Sequence, residues 1–180
     1  MTNWEEELKN CSKAVADICE NLDDKFFRTS PIPGQWSVAE NIIHLNKINS
    51  SYFPIFKQLE EGDLKNSFVA KIKFIPKFFG SMLLKSVDRN RTKKVKTFPI
   101  WQPISGNKEK AVVLKEFEDT QQELAAYIDR LKDAIDKQAI IYSPANKNIV
   151  YSLPAALDIL VEHEQRHIAQ MKELLKTTQQ

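Results

Sequence analysis

"LVEHEQRHIAQMKEL", residues 160–174, is the stretch on which the reading of the fold turns. His163 and His167 stand four apart with Glu164 between them, the H-E-x-x-H spacing of zinc peptidases. Carried back one turn, the same stretch places Ala156, Leu160, His163, His167, Met171 and Leu174 at alternating steps of four and three. That rhythm is the seam of a bundle helix, so both imidazoles take positions that apolar residues would otherwise fill. Two imidazoles one turn apart on an inward helix face converge on a single metal ion.

Working outward, three more segments show the same periodicity. A first helix runs from about Trp4 to Phe27, with Trp4, Leu8, Cys11, Val15, Ile18 and Leu22 inward. "TSPIPGQW", residues 29–36, ends it with two prolines and a glycine. A second helix starts at a capping box formed by Ser37 and Glu40 and continues to about Glu61, with a kink or an early end expected at Pro54. A third spans about Asn107 to Ile135, and the fourth begins at Ser152, accepts Pro154 in its first turn and ends near Lys176. The expected fold is all-α: one domain over residues 1–180, a four-helix bundle with a long insertion between helices two and three. With 180 residues and 42% hydrophobic content, the chain has enough apolar material for one core. It lacks a secretory leader and any uninterrupted apolar run of membrane-spanning length, which reads as a soluble cytoplasmic protein with no membrane span. Cys11 and Cys19 are separated by about 12 Å of helix rise, too far to bridge, and are expected as buried thiols.

The chain has three histidines, and the third, His44, lies beside Leu45 at the edge of the apolar face of helix two. A lone buried histidine is ordinarily satisfied by a hydrogen bond. A pair at i and i+4 on an inward face, joined by a third on a facing helix, points instead to an open three-histidine metal site made of His44, His163 and His167. The zinc-peptidase reading fails on context. Only thirteen residues follow His167, none of them histidine, and no strand-rich region to bind extended substrate is expected before the motif.

"WSVAENIIHL", residues 36–45, followed far downstream by "LVEHEQRHIAQMKEL", resembles the DinB/YfiT-like superfamily of metal-dependent enzymes. The matching positions are Trp36, His44-Leu45, His163, His167 and Gln170. The resemblance implies a four-helix bundle in which the three histidines hold a divalent ion, nickel or zinc first among the first-row metals. It also implies an activity among thiol-dependent S-transferases, isomerases or hydrolases. The long connection from Gly62 to Gly106 is where this chain departs from the pattern.

Three neutral imidazoles leave an ion's charge intact and positions open, so a thiol or water there would lose its proton more readily. Glu164 is a candidate catalytic base for that proton, or else a solvated surface residue. Gln170, one turn beyond His167, is a candidate for holding a ligand or fixing His167, or else lies on the surface. Glu162 and Arg166 are expected to face solvent or pair with neighbouring helices. Residues 62–106 contain ten Lys or Arg against Asp63 and Asp88. A basic lid of one or two short helices is expected there, with Lys71, Lys73 and Lys77 attracting a carboxylate-bearing low-molecular-weight thiol. A small-molecule substrate is favoured over nucleic acid, and a homodimer is left open. Three functions follow: a thiol-dependent S-transferase acting on small electrophiles, a hydrolase with Glu164 as base, or a non-catalytic bundle that binds through the basic segment.

Overall fold

The computed structural model describes residues 3–89, 97–104 and 108–177. Among these, four long helices form the bundle: α1 (Trp4–Cys19), α3 (Val38–Glu60), α5 (Lys110–Arg130) and α7 (Leu153–Lys176). Short α2 (Asp24–Arg28), α4 (Ile75–Val87) and α6 (Lys132–Asp136) lie between them. The caps are where the sequence places them. Ser37 accepts from the Glu40 N–H while the Glu40 carboxylate takes the Ser37 N–H, and Ser152 caps α7 ahead of Pro154.

Several boundaries differ from expectation. The first helix stops at Cys19, because Asp23 caps a separate α2 through the Phe26 N–H. The third breaks at Leu131, where α6 begins. Pro54 neither ends nor splits α3, and the carbonyl it leaves without a donor belongs to Ser50, an exposed residue where water can take over. The expected start at Asn107 and the cations Arg91, Lys93, Lys94 and Lys96 lie outside the described residues. A hairpin that the sequence reading missed precedes α7. It consists of β1 (Ile140–Ser143) and β2 (Asn146–Ser152), antiparallel, with Ile141 opposite Tyr151. Ile141 and Tyr151 on one face and Val150 on the other are all fully buried, and the hairpin closes one end of the core.

Helix directions follow from the contacts. Trp4 Nε1 donates to Asp158 at 2.8 Å and Gln165 donates to Glu7 at 2.7 Å, so α1 and α7 run parallel. Asn41 meets His167, Asn49 meets Glu164 and Tyr52 meets Tyr151, so α3 runs antiparallel to α7. Phe53 packs on Tyr127 and Glu60 pairs with Arg130, so α3 and α5 are parallel. Helices α3 and α5 are consecutive long helices lying side by side in the same direction. The chain must therefore travel back along a helix of 23 residues, about 34 Å, before starting α5. That return is what the 62–106 insertion accomplishes.

Within the return, α4 packs against β2 and α7. Gly80 sits where a Cβ would stand 3.3 Å from the Ala155 Cβ and 3.6 Å from the Tyr151 Cβ, so a glycine permits the close approach. The buried apolar residues fall into two clusters. One contains Leu8, Ile48, Leu124 and Val161 at the hairpin end, and the other contains Cys11, Leu45, Phe117 and Ile168 at the far end. Replacing Gly80 by Leu overpacks the α4 contact and should lower the unfolding free energy by about 1–3 kcal/mol, read from chemical denaturation; an unchanged midpoint would show that α4 is not held against Tyr151 and Ala155.

Candidate metal centre

The polar side chains buried at the junction of the two clusters build the site. His44 and His167 are 2% and 5% exposed, and His163 is partly open to solvent, so the three converge at an edge of the bundle rather than on its axis. One nitrogen from each lies within 4.8 Å of the others. The Trp36 ring covers them, with centroids 4.7 Å from His44 and 5.9 Å from His167, nearly parallel to the latter at 15°.

Tautomers follow from the partners. Asn41 Nδ2 donates to the Ser37 carbonyl at 2.8 Å, which turns its Oδ1 towards His167 Nδ1 at 2.7 Å. That oxygen can only accept, so the proton of His167 is on Nδ1 and the lone pair is on Nε2. His44 repeats the arrangement, with Nδ1 donating at 2.7 Å to the Trp101 carbonyl, an acceptor only. His167 Nε2 then faces His163 Nε2 at 3.1 Å. Burial holds the imidazoles neutral. The His44 pKa is pushed down to about 4, by desolvation first, with Lys47 adding to it against the Trp101 bond. Desolvation, helped by His44 and Arg166, pushes His163 to about 3, and the same causes with His163 itself carry His167 well below its ordinary value.

This donor set fits a divalent first-row ion. Without an ion a neutral His163 can donate its Nε2–H to His167 Nε2; with that proton on Nδ1 instead, its lone pair joins those of His44 and His167 at one point. Nδ1–H groups anchored on oxygen are the usual outer support of metal-binding histidines. Asn41 and the Trp101 carbonyl supply that support, and neither was singled out from the sequence. Gln170 is exposed on α7, while the position beside His167 Nδ1 belongs to Asn41.

Glu164 is not a surface residue. It is 0% exposed, with Oε1 accepting from Asn49 Nδ2 and from Gln121 Nε2, each at 2.7 Å. Its Oε2 is buried without an N–H or O–H partner, and the Cys11 thiol lies beside the carboxyl. Cys11, Asn49, Gln121 and Glu164 come one from each long helix, forming a polar layer between the two apolar clusters. Desolvation lifts the Glu164 pKa to about 7 against the three hydrogen bonds that lower it, and both burial and Glu164 raise that of Cys11. Both cysteines are free and buried, as expected.

The insertion reaches the centre through Trp101, not through the predicted lysines. Lys71, Lys73 and Lys77 are exposed around a 3-10 turn (Phe68–Lys71) and the start of α4, elements that pack on β2. The cations whose charge acts on the imidazoles are Arg166 and Lys47. Arg166 donates to the Asp88 carbonyl and Arg89 pairs with Glu162 at 3.3 Å, tying the end of α4 to α7 beside His163.

Comparison with known proteins agrees with this architecture. The solved structure described as "YfiT from Bacillus subtilis is a probable metal-dependent hydrolase with an unusual four-helix bundle topology" superposes with a TM-score of 0.64 over 99% of this chain and 90% of that one, at 17% identity. The "Uncharacterized protein YuaE" of Bacillus subtilis (strain 168) is 26% identical over 157 residues, 86% of each chain. The sequence profile of the DinB superfamily matches residues 7–171, and the chain belongs to that superfamily.

Proposed function

We propose that the chain is a metal-dependent enzyme in which His44, His163 and His167 hold a divalent ion, nickel or zinc, and that its nucleophile is a low-molecular-weight thiol transferred to a small electrophile. The observation that carries this is the convergence of three imidazole nitrogens within 4.8 Å, two with their lone pairs assigned by oxygen partners. A bound ion at such a centre supplies Lewis acidity that lowers the pKa of a coordinating thiol or water. The chain's own groups do the rest. Asn41 and the Trp101 carbonyl orient two ligands, Trp36 shields one side from water, and the partly open edge at His163 leaves an approach for substrate. Arg166 and Lys47 place positive charge at that edge, which favours an anionic thiol.

The hydrolase reading has in its favour the likeness to YfiT, described as a probable metal-dependent hydrolase. It needs a base, however, and Glu164 is committed elsewhere, with one oxygen held by two amides and the carboxyl turned into the bundle. We assign Glu164 to positioning α7. Activity that depends on thiol, rather than on Glu164, is the consequence.

Purified protein should carry close to one divalent ion per chain by elemental analysis. His163→Ala and His167→Ala should each lose it while keeping the helical circular-dichroism signal, and unchanged metal content in both would place any ion elsewhere. For Glu164→Gln, the transferase reading expects metal content retained and thiol-dependent turnover within about tenfold of the parent, whereas a loss of roughly 10²–10⁴-fold in thiol-free turnover would establish the hydrolase.

The metal-free protein should also respond to pH in a defined direction. Unfolded histidines bind protons near 6.5, whereas folded His44 and His163 do so only near 4 and 3, so acid favours unfolding. Glu164 works oppositely, since its folded value near 7 lies above its unfolded 4.5. Between pH 4.5 and 6.5 the unfolded chain therefore binds about two more protons net, three on histidines less one on Glu164, and stability rises with pH. Denaturant titrations of chelator-treated protein across that range should show this slope, steepening to about three protons in Glu164→Gln; a flat profile would mean the imidazoles are not desolvated.

A further inference from the structure

From Leu64 to Val87 the chain has five lysines and no acidic residue. The helix within this segment has two dissimilar faces. Pro76 and Gly80 are buried against the body, with Gly80 close to Ala155 and Tyr151, so α4 is fixed in place. Its outer face carries Phe74, Phe78 and Met82 at i, i+4 and i+8, exposed by 71%, 61% and 43%. Phe68, in the preceding turn, is 76% exposed. Single apolar side chains in water are ordinary, but three phenylalanines and a methionine on one helix and its adjoining turn form a patch of the kind that marks an interaction surface.

The charges on this face select its occupant. Lys71, Lys73 and Lys77 are exposed among the phenylalanines, and none takes part in an ion pair among the described residues. Lysine is depleted in interfaces between proteins, where its desolvation is not repaid, which disfavours a second copy of this chain. At a bilayer surface the same combination is favourable. Phenylalanines enter the headgroup and acyl boundary while the lysine stems extend to anionic headgroups.

We propose that the outer face of α4, with the turn at Phe68, docks peripherally on an anionic lipid bilayer. No helix among the described residues is long and apolar enough to cross a membrane, so the contact is on the surface. The packing of Pro76 and Gly80 on the body holds α4 along the membrane plane, with Phe74, Phe78 and Met82 reaching roughly 5–10 Å into the interface. This surface uses none of the three histidines, and it stands or falls independently of the metal chemistry.

The test is co-sedimentation of the full chain with phosphatidylcholine vesicles, with and without phosphatidylglycerol, at low and high salt. Partitioning should require phosphatidylglycerol and weaken with salt. The double variant Phe74→Ser, Phe78→Ser should lose it by roughly a hundredfold, and the triple variant Lys71→Glu, Lys73→Glu, Lys77→Glu by a similar factor. Both alter only exposed side chains, and circular dichroism checks that the bundle persists. Absent or lipid-independent partitioning, or partitioning untouched by the phenylalanine variant, overturns the proposal. So does a dimer in analytical ultracentrifugation that the phenylalanine variant dissolves while the parent ignores the vesicles.

Discussion

A carboxyl group with no contact with water sits near the middle of this bundle, and the long helices are arranged around it. Burying an ionised carboxylate without partners costs several kcal/mol, so the fold must neutralise it or surround it with donors. It does some of each. Asn49 from α3 and Gln121 from α5 donate to Glu164 Oε1, while desolvation raises its pKa to about 7. Sliding α7 by one residue along α3 would move Glu164 from these amides into apolar surroundings. The penalty for that slip fixes the register of α7, and the same register brings His163 and His167 opposite His44. The buried acid and the histidines thus share one helix register.

A second constraint comes from helix direction. Because α3 and α5 lie parallel, the link between them must recross the length of the bundle, and a link of that length has to pack or remain open to solvent. Here it packs at three places: the turn at Phe68 on β2, α4 on β2 and α7, and the turn at Trp101 on α3. The last of these delivers the carbonyl that holds His44 Nδ1 and leaves Nε2 free. The histidine cluster therefore depends on three parts of the chain, with imidazoles from α3 and α7 and one of their two oxygen anchors from the crossover. Trp101 is kept there in turn by donating from Nε1 to Ser51 at 3.2 Å.

Much of this was legible in the sequence, and the omissions have physical causes. The α7 seam, the capping box at Ser37 and the joint placement of three histidines were read from periodicity, and the structure brings those histidines together. The surface alternative for Glu164 fails, because the buried face of α7 is wider than the seam that carries the two histidines. Leu157, Glu164 and Met171 are seven apart and all buried, and a helix packed against α1, α3 and α4 needs an apolar stripe wider than a two-helix seam. The hairpin left a signal in "AIIYS" and "NIVYS", β-branched pairs flanking "PANK", too short to stand out beside the helical periodicity on either side. Asn41 and Trp101 left none, since a hydrogen bond between residues 57 or 126 positions apart has no local pattern. Helix direction is likewise silent in periodicity, and the length of the insertion was its only trace.

Adjacent residues on α7 are thus given opposite electrostatic settings. His163 is at the partly open edge with its proton affinity lowered, and Glu164, about 100° around the helix, is in the sealed layer with its own raised. Both shifts remove charge, since desolvation disfavours imidazolium and carboxylate alike. A carboxylate turned towards the histidines would have raised their pKa values and partly cancelled the charge of any ion they held. With the acid turned away and protonatable, the three imidazoles stay neutral and the cluster carries no charge of its own. Arg166 beside His163 and His167, and Lys47 beside His44, add the protein's own positive charge next to the cluster and push the same way, against imidazolium.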